Sequence, residues 1–342
     1  MSGIHRIFQE IRHSDDPCVL ATVIGVEGSA YRKEGAVMLW KGDGSRIGLL
    51  SGGCLEEDVA LRAEEAFKEG SSRTVLYNLR STDDLSWGQG AGCDGAVHVL
   101  LEPVHPRLRR HLCKVGDYME QGVAVTAVKK LTPDRSVTDY LFIPRGGQES
   151  FGEWQGQISE EWMFDGRKSG ISRGAGESEE VFVHHLQPKP RLILIGAGED
   201  AEPLARFAAR TGFSVVVADW RPARCNKGFF PDADRFLVGF PEELVNRLAW
   251  RGDEFVVIMT HQFERDRELL HLLRDKKLSY LGILGPRRRT SRLLAGRSLP
   301  EGIRSPVGLP IGAEGPEEIA VSILADLIRI RRQAPEPEVL LP

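Results

Sequence analysis

A chain of 342 residues, 41% of them hydrophobic, has material for two cores, and ordinary domain sizes favour two domains over one. Its net charge of −4 gives no electrostatic footprint for nucleic acid, and the basic run Arg287, Arg288, Arg289 is too short to supply one. No run approaches bilayer length, and the five scattered cysteines without a CxxC pair argue against a disulfide framework or a structural zinc site; a cytoplasmic protein with reduced thiols is expected.

The first sixteen residues lack the apolar core and cleavage site of a signal peptide. Instead Ile4, Ile7, Phe8 and Ile11 mark a short amphipathic helix. Strands are expected from Cys18 to Val26 and from Ala36 to Trp40, separated by the loop EGSAYRKEG. In that loop Ser29, Tyr31 and Arg32 could bind an anion, and they read more simply as solvated polar residues. Next comes SGGCLEED, in which two glycines and Cys54 lead into a helix running to about Lys68, with Glu56, Glu57 and Asp58 in its first turn. The helix dipole there favours a Cys54 thiolate, and the three carboxylates partly oppose it. A strand from Thr74 to Leu79 comes next, then the loop Gly88 to Gly95 and a strand from Ala96 to Leu101. Cys93 lies in that loop, whose four glycines suit backbone held close to a ligand. Taken singly, each cysteine is equally readable as a small buried hydrophobe.

From Arg107 the signal thins. A helix to about Gln121 precedes strand-like pieces Val123 to Lys129, Tyr140 to Ile143 and Glu161 to Phe164, while Ser169 to Glu179 has the glycine and serine content of a linker. Pro188 and Pro190 stiffen the chain just beyond, so a boundary is expected near Gln187: an α+β domain over residues 1–187, a second domain over 188–332, and a disordered tail from 333.

The second domain opens with the densest pattern in the chain. Leu192 to Ile195 form an apolar run suited to a strand buried on both faces, and Leu204, Phe207 and Ala208 recur at helical spacing. Between them Gly196, Gly198 and Ala201 sit where a dinucleotide fingerprint needs small residues: for the turn, for the approach of a pyrophosphate, and for close packing of the helix. Asp219 closes the unit, about 20 residues on, where an acid can bind a ribose. Glu199 and Asp200 place negative charge where a phosphate would meet the helix dipole, and read as N-terminal helix charges. Strands at Phe236 to Val238, Phe255 to Met259 and Tyr280 to Leu284 alternate with helices, which predicts an α/β fold: a Rossmann-like doubly wound parallel sheet at the C-terminal side of an α+β domain. Thr260, His261 and Gly285 fall at strand ends; His261 could touch ligand as acid or base, or cap Asp266 or the helix after it. Finally Pro316, Glu317 and Glu318 start a helix whose Ile319, Ile323, Leu324 and Leu327 line one face, which makes a homodimer a natural expectation.

Together these motifs resemble the XdhC/CoxI family of xanthine dehydrogenase accessory factors along almost the whole chain. The resemblance is carried by GSAYRKEGAVML with SGGCLEED, by GAGCDGAVHVLLEP, by LILIGAGEDAEPLARFAARTGFSVVVADWRP with THQFERD and YLGILGPRRR, and by LPIGAEGPEEIAVSILADLI. Many members carry a histidine after the second glycine of the fingerprint, where this chain has Glu199. The resemblance implies a chaperone that binds molybdenum cofactor, as the mononucleotide form or a dinucleotide, protects it during sulfuration and hands it to a xanthine dehydrogenase apoenzyme, with a cysteine desulfurase as a further partner. On that reading the pterin and its phosphate lie between the two domains. Cys54, Glu56, Cys93, Gly196, Gly198, Ala201, Asp219 and His261 would form the cofactor site, with Cys54 and Cys93 facing the metal because soft thiolates suit a molybdenum–sulfur centre. Two other classes compete: an NAD(P)-dependent oxidoreductase with His261 as proton donor, which NADH titration distinguishes, and a docking protein that binds no small molecule.

Overall fold

The computed structural model describes residues 2–79, 95–162, 168–173, 180–295 and 302–333. The chain divides into two compact units, with the break between Pro188 and Lys189. The first is α+β and carries two antiparallel sheets; the second is a six-stranded parallel sheet wound with helices on both faces.

In the first unit α1 (Ser2–His13) precedes β1 (Cys18–Gly28), β2 (Val37–Lys41), β3 (Arg46–Gly48), α2 (Glu56–Glu69), β4 (Arg73–Asn78) and β5 (Gly95–Pro103). These strands order as β3-β2-β1-β5-β4. Then come α3 (Pro106–Glu120), β6 (Val125–Leu131), β7 (Val137–Pro144), β8 (Phe151–Glu153), β9 (Gly170–Arg173) and β10 (Glu180–Leu186), ordered β8-β7-β6-β10-β9. Leu20 and Leu39 of the first sheet, Ala127 and Phe142 of the second, and Ile7, Leu108 and Leu112 of the helices share one core. α2 instead covers the other face of the first sheet, burying Val59 and Ala63 against Val99 and Leu101.

Two local expectations give way here. The strand expected from Glu161 to Phe164 is not formed in its described part: residues 160–162 form a 3-10 turn whose Trp162 is buried edge-on against Trp154, 5.3 Å away, and Met163 and Phe164 lie outside the described residues. The linker-like stretch after Ser169 contains the edge strand β9, paired with β10. β10 itself, not anticipated from the sequence, lies between β6 and β9; Val181 to His184 are buried without a break, so both its faces are covered, and its two histidines interrupt what would otherwise read as an apolar run.

In the second unit β11 (Arg191–Ile195), α4 (Ala201–Arg210), β12 (Ser214–Asp219), β13 (Arg235–Val238), α5 (Pro241–Arg247), β14 (Phe255–Ile258), α6 (Phe263–Leu273), β15 (Tyr280–Ile283), α7 (Arg287–Leu293), β16 (Ile303–Arg304) and α8 (Gly315–Gln333) succeed one another. The sheet order is β13-β12-β11-β14-β15-β16, all parallel, so the strand order reverses between β11 and β14. Side chains alternate across β11: Leu192 and Leu194 join the core under α4 and α8, while Ile193 and Ile195 join that under α5, α6 and α7. Ile323, Leu324 and Leu327 of α8 are therefore used by the chain's own core. The apolar face that suggested a homodimer is covered from within.

Candidate functional site

The signature loop before α2 is built by a carboxylate turned inward. Glu56 is buried, and its Oε1 accepts the backbone N–H groups of Leu50 (3.1 Å) and Ser51 (2.7 Å), while its Oε2 accepts the Ser51 hydroxyl proton at 2.5 Å. Ser51 Oγ in turn accepts the N–H groups of Gly53 (3.1 Å) and Leu55 (3.2 Å). Ser51 thus caps the loop's donors ahead of a helix whose own N-cap residue, Leu55, has no side chain to do so. Burial opposes the charge on Glu56, yet the hydrogen bonds from Ser51 and Leu50 hold its pKa below the ordinary carboxylate value. Gly53 has φ +115, a conformation that favours glycine. Glu56 accordingly shapes the loop, both of its oxygens being turned onto Leu50 and Ser51, whereas Cys54 faces open space. It lines a cavity of about 250 Å³ with Tyr31, Leu50, Ser51, Gly52 and Val97. Tyr31, 66% exposed, stands at this cavity too. Sequence reasoning passed over Ser51; its signal was a serine placed four residues before the leucine that opens the helix. Cys93 lies outside the described residues.

In the second unit the fingerprint residues take unequal roles. Gly196 has φ +123, and a Cβ there would sit 2.3 Å from Met259 O, so β14 packs directly on the turn. Ala201 is fully buried, as close helix packing requires. A Cβ on Gly198 would meet only Asp200 Oδ1, at 2.6 Å. Asp200 Oδ2 lies 2.7 Å from His261 Nε2 across the switch point, and His261, at φ +60, is 61% exposed. Asp200 makes no capping bond, so it acts as the histidine's partner and not only as a helix charge. His261 caps nothing: Thr260 Oγ1 donates to Asp266 Oδ1 at 2.5 Å, and Gln262 holds the N-cap position.

Asp219 is 1% exposed and already saturated. Its Oδ2 accepts Ala197 N–H at 2.7 Å and Arg221 Nη2–H at 2.9 Å, and its Oδ1 accepts the N–H (2.8 Å) and Nε–H (2.9 Å) of Arg221. A ribose would have to displace Arg221. Burial acts to raise the pKa of Asp219, but these bonds bring it below the ordinary value. The group therefore contributes stability that is full above the unfolded carboxylate pKa and is lost as pH falls through the lower folded pKa. Asp219→Ala should cost about 1–3 kcal/mol at pH 7, because it strands the Ala197 N–H and a guanidinium, and should flatten the acid limb of a stability-versus-pH curve. An unchanged urea midpoint with an unchanged acid limb would remove this bracing role.

Among the described residues no group of three or more His, Cys, Asp or Glu side chains is placed to hold a metal ion, and no helix is long and apolar enough to cross a membrane. The sequence matches three family patterns: the XdhC and CoxI family over residues 11–78, a BH1974-like central domain over 106–187 and the XdhC Rossmann domain over 192–327. The central pattern coincides with α3 and the second sheet of the first unit. The chain is 43% identical over 341 residues to a probable xanthine dehydrogenase subunit of Bacillus subtilis (strain 168), covering 97% of this chain and 99% of that protein. It is 26% identical over 347 residues to the molybdenum cofactor insertion chaperone PaoD of Escherichia coli (strain K12), covering 99% of this chain and 91% of that protein. A crystal structure of a xanthine dehydrogenase from Bacillus halodurans superposes with a TM-score of 0.89 at 48% identity, covering 99% of this chain and 98% of the other.

Proposed function

From the chain's membership of the XdhC and CoxI family, we propose that it is a maturation factor that binds molybdenum cofactor and passes it to a xanthine dehydrogenase apoenzyme. The observation that carries this reading is Cys54, a thiol set in a cavity by a loop that Glu56 and Ser51 hold rigid. A sulfur donor is soft and suits a molybdenum–sulfur centre better than an oxygen donor does. A metal delivered inside an organic complex arrives already ligated, so one or two protein donors suffice where a bare ion would need more. The cargo supplies the redox chemistry of the recipient enzyme; this chain's residues orient it and keep water from it. Full-length similarity to a protein named as a molybdenum cofactor insertion chaperone supports the same role. Cys93, the second sequence-level candidate, is proposed as a second thiol toward the cargo, and protection of the cofactor during sulfuration, with a cysteine desulfurase as partner, belongs to this proposal.

The second unit's turn speaks against a nicotinamide-dependent oxidoreductase. Asp219 has no free oxygen to offer a ribose, and the Asp200 carboxylate lies over Gly198, where a diphosphate would have to sit. We assign His261 to the ligand-facing rim of this turn, oriented by Asp200. The test is transfer: protein purified from cells that make molybdenum cofactor is mixed with a xanthine dehydrogenase apoenzyme. Appearance of dehydrogenase activity with loss of molybdenum from this chain supports the role. An apoenzyme that stays inactive beside a molybdenum-loaded partner would sink it.

A further inference from the structure

Two motifs of the second unit, THQFERD over residues 260–266 and YLGILGPRRR over 280–289, are joined by one ion pair. Asp266, 1% exposed in the first turn of α6, sets its Oδ2 2.6 Å from Arg289 Nη2 of α7. Neither terminal nitrogen of Arg289 aims an N–H at an acceptor among the described residues, so attraction of charge holds the pair and not a directed hydrogen bond. The Arg289 side chain passes close over Gly285, where a Cβ would lie 3.2 Å from Arg289 Cδ and where φ is +122. Glycine suits that position on both counts.

The other oxygen of Asp266 carries the effect to the end of β14. Its Oδ1 accepts the Thr260 hydroxyl proton at 2.5 Å, and Thr260 Oγ1 in turn accepts the Gln262 N–H at 3.1 Å, closing a turn over His261. That closure matters because His261 has φ +60, a left-handed conformation that a residue other than glycine keeps only when its neighbours fix it. Before His261 the sheet does the fixing, since Met259 N–H donates to Ile195 O at 2.8 Å. After it, the Thr260 hydroxyl does so together with α6, whose Asp266 N–H donates to Gln262 O at 2.9 Å. The bend brings His261 Nε2 to 2.7 Å from Asp200 Oδ2, beside the glycine turn.

We propose that Arg289 is a positioning residue for His261: its charge fixes Asp266, Asp266 fixes Thr260, and Thr260 holds the bend that sets the ring against Asp200. This deepens the assignment of His261 to the rim of the glycine turn and rests on it, but the ring is followed with no cargo bound, so the two readings fail separately. The experiment is NMR of the full-length protein with isotope-labelled histidine rings, in which His261→Gln identifies one signal among those of nine histidines. In the parent, Asp200→Asn should displace the His261 signal. In Arg289→Met and in Thr260→Val the same change should give about half that displacement or less, because the ring has left the carboxylate. Arg289→Met strands a buried carboxylate and lowers the thermal midpoint, whereas Thr260→Val keeps the ion pair whole and so separates a lost bend from a lost fold. Arg289→Lys should keep the parent's response, since a point charge suffices for a pair that has no directed bond, and Arg288→Met, exposed on the same helix, should leave it unchanged. No displacement in the parent, a full displacement in Thr260→Val or in folded Arg289→Met, or an Arg289→Lys variant that behaves as Arg289→Met does, would each overturn the assignment.

Discussion

Cys54→Ser is expected to strip most of the molybdenum from the purified protein, a loss of roughly tenfold or more in retention, while leaving the fold intact. The substitution replaces a soft donor by a hard one of similar size, and the loop geometry does not depend on the thiol, because Glu56 and Ser51 supply its hydrogen bonds. Cys93→Ser should act alike, and the double variant should add little, since groups that serve one ligand are not additive. Cys18 is the internal control. It is buried in β1 with its thiol pKa raised, burial being the main cause, so Cys18→Ser should affect stability and leave molybdenum per folded molecule unchanged. Equal molybdenum in a folded Cys54→Ser, Cys93→Ser variant and the parent would end the assignment.

Glu254→Ala should be the most damaging single change away from the candidate sites, costing about 3–5 kcal/mol, because it leaves a buried guanidinium unpaired. Glu254 is 0% exposed and pairs with the buried Arg191 at the start of β11; it also accepts the N–H groups of Arg251 (2.6 Å) and Gly252 (3.1 Å). One carboxylate therefore ties the loop before β14 to the strand that leads into the glycine turn. Glu254→Gln, which can still accept from the backbone, should cost less. Combining Glu254→Ala with Arg191→Met should recover part of the loss, since the uncompensated charge goes with it. Denaturant midpoints of the four proteins decide the matter: a Glu254→Ala midpoint equal to the parent's would show that the pair is not what holds this corner.

The parallel sheet was legible because its signals are local. A run such as Leu192 to Ile195, buried on both faces, with glycines after it and a helical period beyond, names strand, turn and helix from short stretches of sequence. Cys54 ahead of a helix was legible for the same reason. What stayed hidden was where side chains point. Glu56 and Asp219 are acids at positions that suit a ligand, and each is turned instead onto backbone N–H groups a few or some twenty residues away, an orientation that spacing alone does not encode. The Asp200–His261 pair joins residues 61 apart through the strand crossover, so it exists only once β11 and β14 are neighbours. In the first unit β10 escaped notice because His184 and His185 look polar, although burial keeps His184 neutral and makes it a core residue.

The measurement that bears most directly on the central claim is the cargo itself. Protein purified from cells that make molybdenum cofactor should contain molybdenum and pterin in equal amounts, close to one of each per chain, and the Cys54→Ser, Cys93→Ser variant prepared alongside should contain little of either. Molybdenum and pterin no higher in the parent than in that variant would contradict the account.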